Sequence, residues 1–213
     1  ANLGFISNSN GIDNEIEILS AQDLATQAVI DMKCYVNYYH KGTFKDQLVY
    51  KEQEVNVDLD LAHLKKLNAP IKLKIEKDGN QYLVTGSYYI PVDAFSSQKE
   101  PVKIEKTLAS LPASINTRVG TLSFTKNGNF KLKDGESLKA IIVSPDMAAS
   151  GYAKALAVSQ TSKTTTIAEL VLKDEDPQRS IDYLNTLIKV YNRQANEDKN
   201  EISFRTEQFI NQR

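Results

Sequence analysis

The hydrophobic positions divide the chain into three stretches with different periods. Ile18, Ala21, Ala25, Ala28 and Met32 recur at three- and four-residue steps, with Leu24 beside them, which is the spacing of one helix face. Asn14 suits an N-cap, and Glu15 and Glu17 fall in the first turn, where the helix dipole favours acids. The pattern predicts one amphipathic helix of about five turns starting at Asn14. Residues 1–13, which contain ISNSNGID, read as a flexible N-terminal loop.

From Cys34 onward the period falls to two. Tyr35, Val36, Tyr38 and Tyr39 are strand formers, as are Leu48 to Tyr50 and Val55 to Leu59. Residues 61–68 suit one or two helical turns before Pro70. Ile71, Leu73 and Ile75 alternate with Lys72, Lys74 and Glu76, and Val102 to Glu105 alternates likewise. Tyr82, Val84 and Tyr88 to Val92 continue the strand signal. Asn127-Gly128, between Leu122/Phe124 and Phe130/Leu132, predicts a hairpin, and Asp78-Gly79 and Asp134-Gly135 predict further turns. Leu138 to Val143 reads as a buried strand, residues 146–155 as a short helix capped by Asp146, and Leu156 to Ser159 and Thr164 to Leu172 as two more strands.

The last stretch is helical again. Asp176 is an N-cap residue and Pro177 sits at the first helical position, where its missing N–H costs nothing. No Gly or Pro interrupts residues 178–213, so the helix would run roughly 55 Å at 1.5 Å per residue. Ile181, Ile188, Ala195, Ile202 and Phe209 fall every seven residues, with Leu184 and Tyr191 at the matching positions of the seam. The later matching positions are polar: Asp198, Arg205 and Gln212. Ile181, Leu184, Ile188, Tyr191 and Ile202 are therefore the expected helix-packing and oligomerisation residues. The pattern has no stop signal at Arg213, and the natural chain is expected to continue beyond it.

Composition narrows the chemistry. The chain has 213 residues, 41% hydrophobic and 25% charged, with Lys+Arg 26 against Asp+Glu 27. A net charge of −1 without a basic block argues against nucleic acid as the main partner. No apolar run approaches the ~20 residues that span a bilayer, and no signal peptide is visible. One cysteine, Cys34, excludes an internal disulfide framework and a multi-thiolate zinc site. It reads as a small buried hydrophobe. The two histidines, His40 and His63, form no ligand motif and read as surface or turn residues. Asp174, Glu175 and Asp176 are consecutive, so a helix cap explains them better than a cation site. Tyr35, Tyr38, Tyr39 and Tyr50 suit strand packing first and a sugar-stacking platform second. No catalytic constellation emerges, and no cofactor or metal is expected.

Two segments together carry a family resemblance. One is Asn14-Glu15-Ile16-Glu17-Ile18-Leu19-Ser20, followed by a helix and the tyrosine-bearing strand at Cys34 to Tyr39. The other is Thr166-Ile167-Ala168-Glu169-Leu170, then Lys173-Asp174-Glu175-Asp176-Pro177, with Leu184-Asn185 and Val190-Tyr191-Asn192 downstream. Over residues 13–60 and 140–213 the chain resembles the periplasmic region of the Wzz-type chain-length determinants, the polysaccharide co-polymerases. It looks most like the Bacteroidetes versions, which can belong to a longer capsule or exopolysaccharide tyrosine kinase. The resemblance implies a non-catalytic periplasmic domain of an inner-membrane protein, anchored by membrane helices outside this chain. It further implies subunits assembled in a ring that sets the length of O-antigen, capsular or exopolysaccharide chains. The implied partners are other copies of the chain, the polymerase with its nascent polysaccharide, and an outer-membrane export protein.

The expected fold is accordingly α+β. A mixed α/β membrane-proximal domain (14–67 and 136–176) would carry an inserted β-rich module (68–135) and a long protruding helix (177–213). The module departs from the family pattern. A periplasmic adaptor of an efflux or secretion system is the alternative, since adaptors also combine β modules with long helices. A glycosidase would need two carboxylates facing across a cleft. Of Asp78, Asp93, Glu100, Glu105, Asp134 and Glu136, most fall in turns or on alternating solvent faces instead.

Overall fold

The computed structural model describes residues 2–6, 12–42, 44–92, 97–162 and 167–211. Along the chain these form β1 (Asn2–Ile6), α1 (Ile12–Ser20), α2 (Gln22–Met32), β2 (Val36–His40), β3 (Gln47–Val49), β4 (Val55–Asp58) and α3 (Leu61–Leu64). There follow β5 (Ile71–Asp78), β6 (Gln81–Pro91), β7 (Lys99–Leu108), β8 (Ala113–Thr117), β9 (Gly120–Lys126) and β10 (Ser137–Ile142). The chain ends with α4 (Pro145–Ala155), β11 (Leu156–Gln160), β12 (Ile167–Leu172) and α5 (Pro177–Asn211). The fold is α+β, as the two periods predict.

Two compact units result: residues 1–32 with 149–213, and residues 33–148. The first unit joins the two ends of the chain. Its antiparallel sheet has the order β1-β12-β11. Ala168, Leu170 and Leu172 of β12 are buried, the period-two signature of a half-buried strand. Helix α1 lies on β11 and β12, and α2 runs against α5. Small side chains at Ala25 and Ala28, both buried, let α2 approach closely. Residues 1–13 are therefore not simply a loop: Asn2–Ile6 is an edge strand paired to β12, and α1 begins at Ile12. The part of that expectation at residues 7–11 lies outside the described residues, as do Asp93 and Thr164 to Thr166.

The single helix expected from Asn14 is two. The Ser20 hydroxyl donates to the Ile16 carbonyl at 2.7 Å, and the Ala21 amide bonds back three residues to Ile18. Such local bonds compete with the regular ladder and bend helices. Ile18, expected on the apolar face, lies exposed, while Glu15 of the first turn is buried with Leu19.

The second unit is a two-layer β-sandwich. One sheet has the order β3-β2-β10-β5-β6-β7 and the other β4-β9-β8, with every neighbouring pair antiparallel. The inner face of the larger sheet carries Ile71, Leu73, Ile75, Val84, Leu138, Ala140 and Ile142; that of the smaller carries Val55, Val57, Leu122 and Phe124. All are buried. Antiparallel sheets with one packed and one solvated face alternate apolar and polar residues along each strand, and these strands do so. Gly86 sits where β6 approaches β5 so closely that a Cβ would lie 2.1 Å from the Lys72 carbonyl oxygen. At Gly120 φ is +123°, a backbone state that side-chain-bearing residues rarely adopt.

Three expectations change here. Strands β5, β6 and β7 extend the same sheet as β2 and β10, so residues 68–135 are not a separate insert; the unit spans 33–148. Asn127-Gly128 does not turn a hairpin into a strand at Phe130 to Leu132. The partners of β9 are β4 and β8, and the Asn127 amide bonds to the Glu54 carbonyl at 2.7 Å. The cap of α4 is Ser144, whose hydroxyl accepts from the Met147 amide at 3.2 Å, with Pro145 the first helical residue and Asp146 inside the helix.

Candidate functional site

The base of α5 is the most determined part of the first unit. The Asp176 carboxylate accepts a hydrogen bond from the Arg179 amide at 2.8 Å, and Pro177 opens the helix. This is the N-cap expected from sequence. Asp174, two residues earlier, forms a two-pronged pair with the Arg179 guanidinium, at 2.8 Å to Nε and 2.5 Å to Nη2. Both side chains are largely buried, 3% exposed for Asp174 and 14% for Arg179. Asp174 also accepts from the Asp176 amide at 3.1 Å. The acidic run is thus a cap and an ion pair that fix how β12 hands over to α5. The arginine five residues after Asp174 was the available signal for the pair.

Above this base, the buried stripe of α5 is Ser180, Tyr183, Leu184, Leu187 and Val190. Tyr183 stacks on Tyr152 of α4 with ring centroids 4.2 Å apart. Of the five residues expected to pack, Leu184 is buried, Ile188 and Tyr191 are half-buried, and Ile181 and Ile202 are exposed at 40% and 65%. The heptad reading favoured isoleucines. The helix instead buries a face with the 3.6-residue period of an ordinary globular helix, which Tyr183, Leu187 and Val190 complete. Arg193 of α5 pairs with Asp31 of α2 at 3.0 Å. From residue 196 to residue 208 every position is exposed, Ile202 and Phe204 included. The Phe209 side chain and Gln212 lie outside the described residues.

In the second unit the tyrosines act as struts between the two sheets. Tyr35 donates to Asp58 at 2.9 Å, and the Tyr38 hydroxyl accepts from the Val57 amide at 2.7 Å. Burial pushes both phenols upward, helped at Tyr35 by the Asp58 carboxylate. Tyr88 accepts from the Arg118 amide at 3.2 Å. Tyr82 donates to Glu54 at 2.6 Å. Glu54, 1% exposed, also accepts from the Leu132 amide and lies 3.4 Å from the Lys77 ammonium. Burial alone would raise the Glu54 carboxyl, but the Tyr82 and Leu132 hydrogen bonds and the Lys77 charge outweigh it and hold it below its ordinary value. Tyr35 and Tyr38 are therefore inner-face residues, and of the four-tyrosine cluster only Tyr39 and Tyr50 keep partial exposure.

The remaining candidates resolve into local roles. Cys34 is buried. The His63 ring lies 2.6 Å from Asp60, whose carboxylate caps α3, and His40 is on β2. Asp134 accepts from the Gly79 amide at 2.6 Å and Glu136 from the Lys133 amide at 2.8 Å, so both brace turns. Asp78, Glu100 and Glu105 are exposed on strands β5 and β7. Among the described residues, no helix is long and apolar enough to cross a membrane, and no three His, Cys, Asp or Glu side chains gather as metal ligands. No model of a known protein family matches the chain, and no curated protein is significantly similar to it in sequence.

Proposed function

We propose that this chain is the periplasmic, non-catalytic domain of an inner-membrane polysaccharide co-polymerase of the Wzz type. Copies of it would assemble into a ring and limit the length of a surface polysaccharide. One observation supports this reading above the others. The outer parts of the two resembling segments, residues 13–32 and 149–213, belong to one α+β unit, while the tyrosine-bearing strand at Cys34 to Tyr39 belongs to the other; the 35-residue helix of the first unit runs on through an exposed stretch, residues 196–208. A 35-residue helix is about 52 Å long, and its residues 196–208 have no partner surface among the described residues. In this reading the Asp176 cap and the Asp174–Arg179 pair hold the angle at which α5 leaves the sheet. Ile202 and Phe204 are then available to neighbouring subunits. The experiment is deletion of the gene in its native host, with surface polysaccharide resolved by length on a gel. A changed modal length supports the reading, and an unchanged ladder overturns it.

A further inference from the structure

The larger sheet of the second unit has one face in the core and one in solvent. On the outward face the strand registers place Tyr39 beside Lys139, Lys139 beside Lys74, and Lys74 beside Thr85. One row along, Lys72 lies opposite Ser87. Tyr39, Lys139, Lys74, Thr85 and Lys72, with Lys41, Asp46 and Ser137, line an open groove of about 360 Å³, within the size range of ligand pockets.

Like charges directly opposite each other on neighbouring strands are destabilising. Lys139 and Lys74 are such a pair, and the groove gathers two more ammonium groups from Lys41 and Lys72. Two of the four are compensated, Lys139 by Asp46 at 3.2 Å and Lys74 by Glu76. Lys41 and Lys72 are exposed and have no carboxylate at ion-pair distance among the described residues. Packing does not require this arrangement, because the inner face of the same strands carries the core. It is the arrangement an anion would neutralise.

The neighbours of these cations specify the anion further. The Tyr39 ring is half-exposed, with the Lys139 ammonium 5.8 Å from its centroid. Thr85 and Ser137 supply hydroxyls that both donate and accept. An aromatic face, two separate hydroxyls and ammonium groups without a carboxylate partner match a sugar ring bearing a carboxylate. The concave shape and the hydroxyls suit a polyhydroxylated ring better than a flat lipid surface.

We propose that this groove binds a carboxylated sugar of an anionic glycan, with Lys41 and Lys72 pairing the carboxylate and Tyr39 carrying the ring. The proposal rests on the co-polymerase reading for the source of the glycan, and on the side chains alone for its chemistry. The test is calorimetric titration of the purified chain with tetragalacturonate, with maltotetraose as the neutral comparison. Tetragalacturonate should bind and be weakened by high salt, and maltotetraose should not bind. The double variant Lys41→Gln/Lys72→Gln should bind about tenfold more weakly. Because both lysines are exposed, its circular dichroism and Tm should match the parent protein. Tyr39→Ala should also lose affinity. Absence of tetragalacturonate binding, equal binding by the double variant, or equal binding of maltotetraose would overturn the assignment. So would lysine-dependent sedimentation with phosphatidylglycerol vesicles in place of oligosaccharide binding. A changed polymer ladder in the deletion strain together with no tetragalacturonate binding would remove the groove proposal and leave the co-polymerase reading standing.

Discussion

Glu54 shows what single residues contribute to the second unit. It is a carboxylate with almost no contact with water, held by a tyrosine, a lysine and a backbone amide. Removing one partner of a buried pair leaves the other uncompensated, so Glu54→Ala should cost ~3–5 kcal/mol in chemical denaturation. The pH dependence follows from the lowered carboxyl. A group with a depressed folded pKa contributes its stability above the unfolded value and loses it as pH falls through the folded one. The Tm of the protein should therefore drop as pH falls below the ordinary carboxylate range, and Glu54→Gln should flatten that part of the curve. None of this network was legible in the sequence. Glu54 meets Tyr82 across 28 residues and Leu132 across 78, and no local pattern encodes such pairings. Asp176 is the opposite case. Its signal lies within four residues and its geometry matches. Asp176→Ala should cost about 1 kcal/mol, the usual effect of a lost N-cap.

At the scale of elements, legibility followed the range of the forces. Strand β5 was plain because alternation is local, and so was the start of α5. Strand β8 was missed, and Asn127-Gly128 was misread, because the partner of β9 is decided by which distant strand meets it. The break between α1 and α2 depends on one serine hydroxyl turning back on its own helix. In α5 the sequence offered two stripes, a seven-residue isoleucine series and the face of Tyr183, Leu187 and Val190, and packing inside the chain selected the second. The two stripes predict different consequences. Leu187→Ala opens a hole in a fully buried site and should cost ~2–5 kcal/mol of unfolding free energy. Ile202→Asp changes a residue 65% exposed and should leave stability within about 0.5 kcal/mol, measured by the same denaturation.

At the scale of the whole molecule, the two units divide the work. The unit of residues 33–148 closes in a single excursion of the chain and carries its own sandwich core. The unit built from both ends carries the long helix. Under the co-polymerase reading the exposed part of α5 matters to the assembly and not to the fold, so stability and function should separate at Ile202. The decisive measurement is the length distribution of surface polysaccharide in the gene-deletion strain complemented with the parent gene or with Ile202→Asp. The account predicts that the parent restores the original modal length and that Ile202→Asp, equally abundant and equally stable, gives a different one. Identical ladders from the empty, parent and Ile202→Asp strains would contradict it.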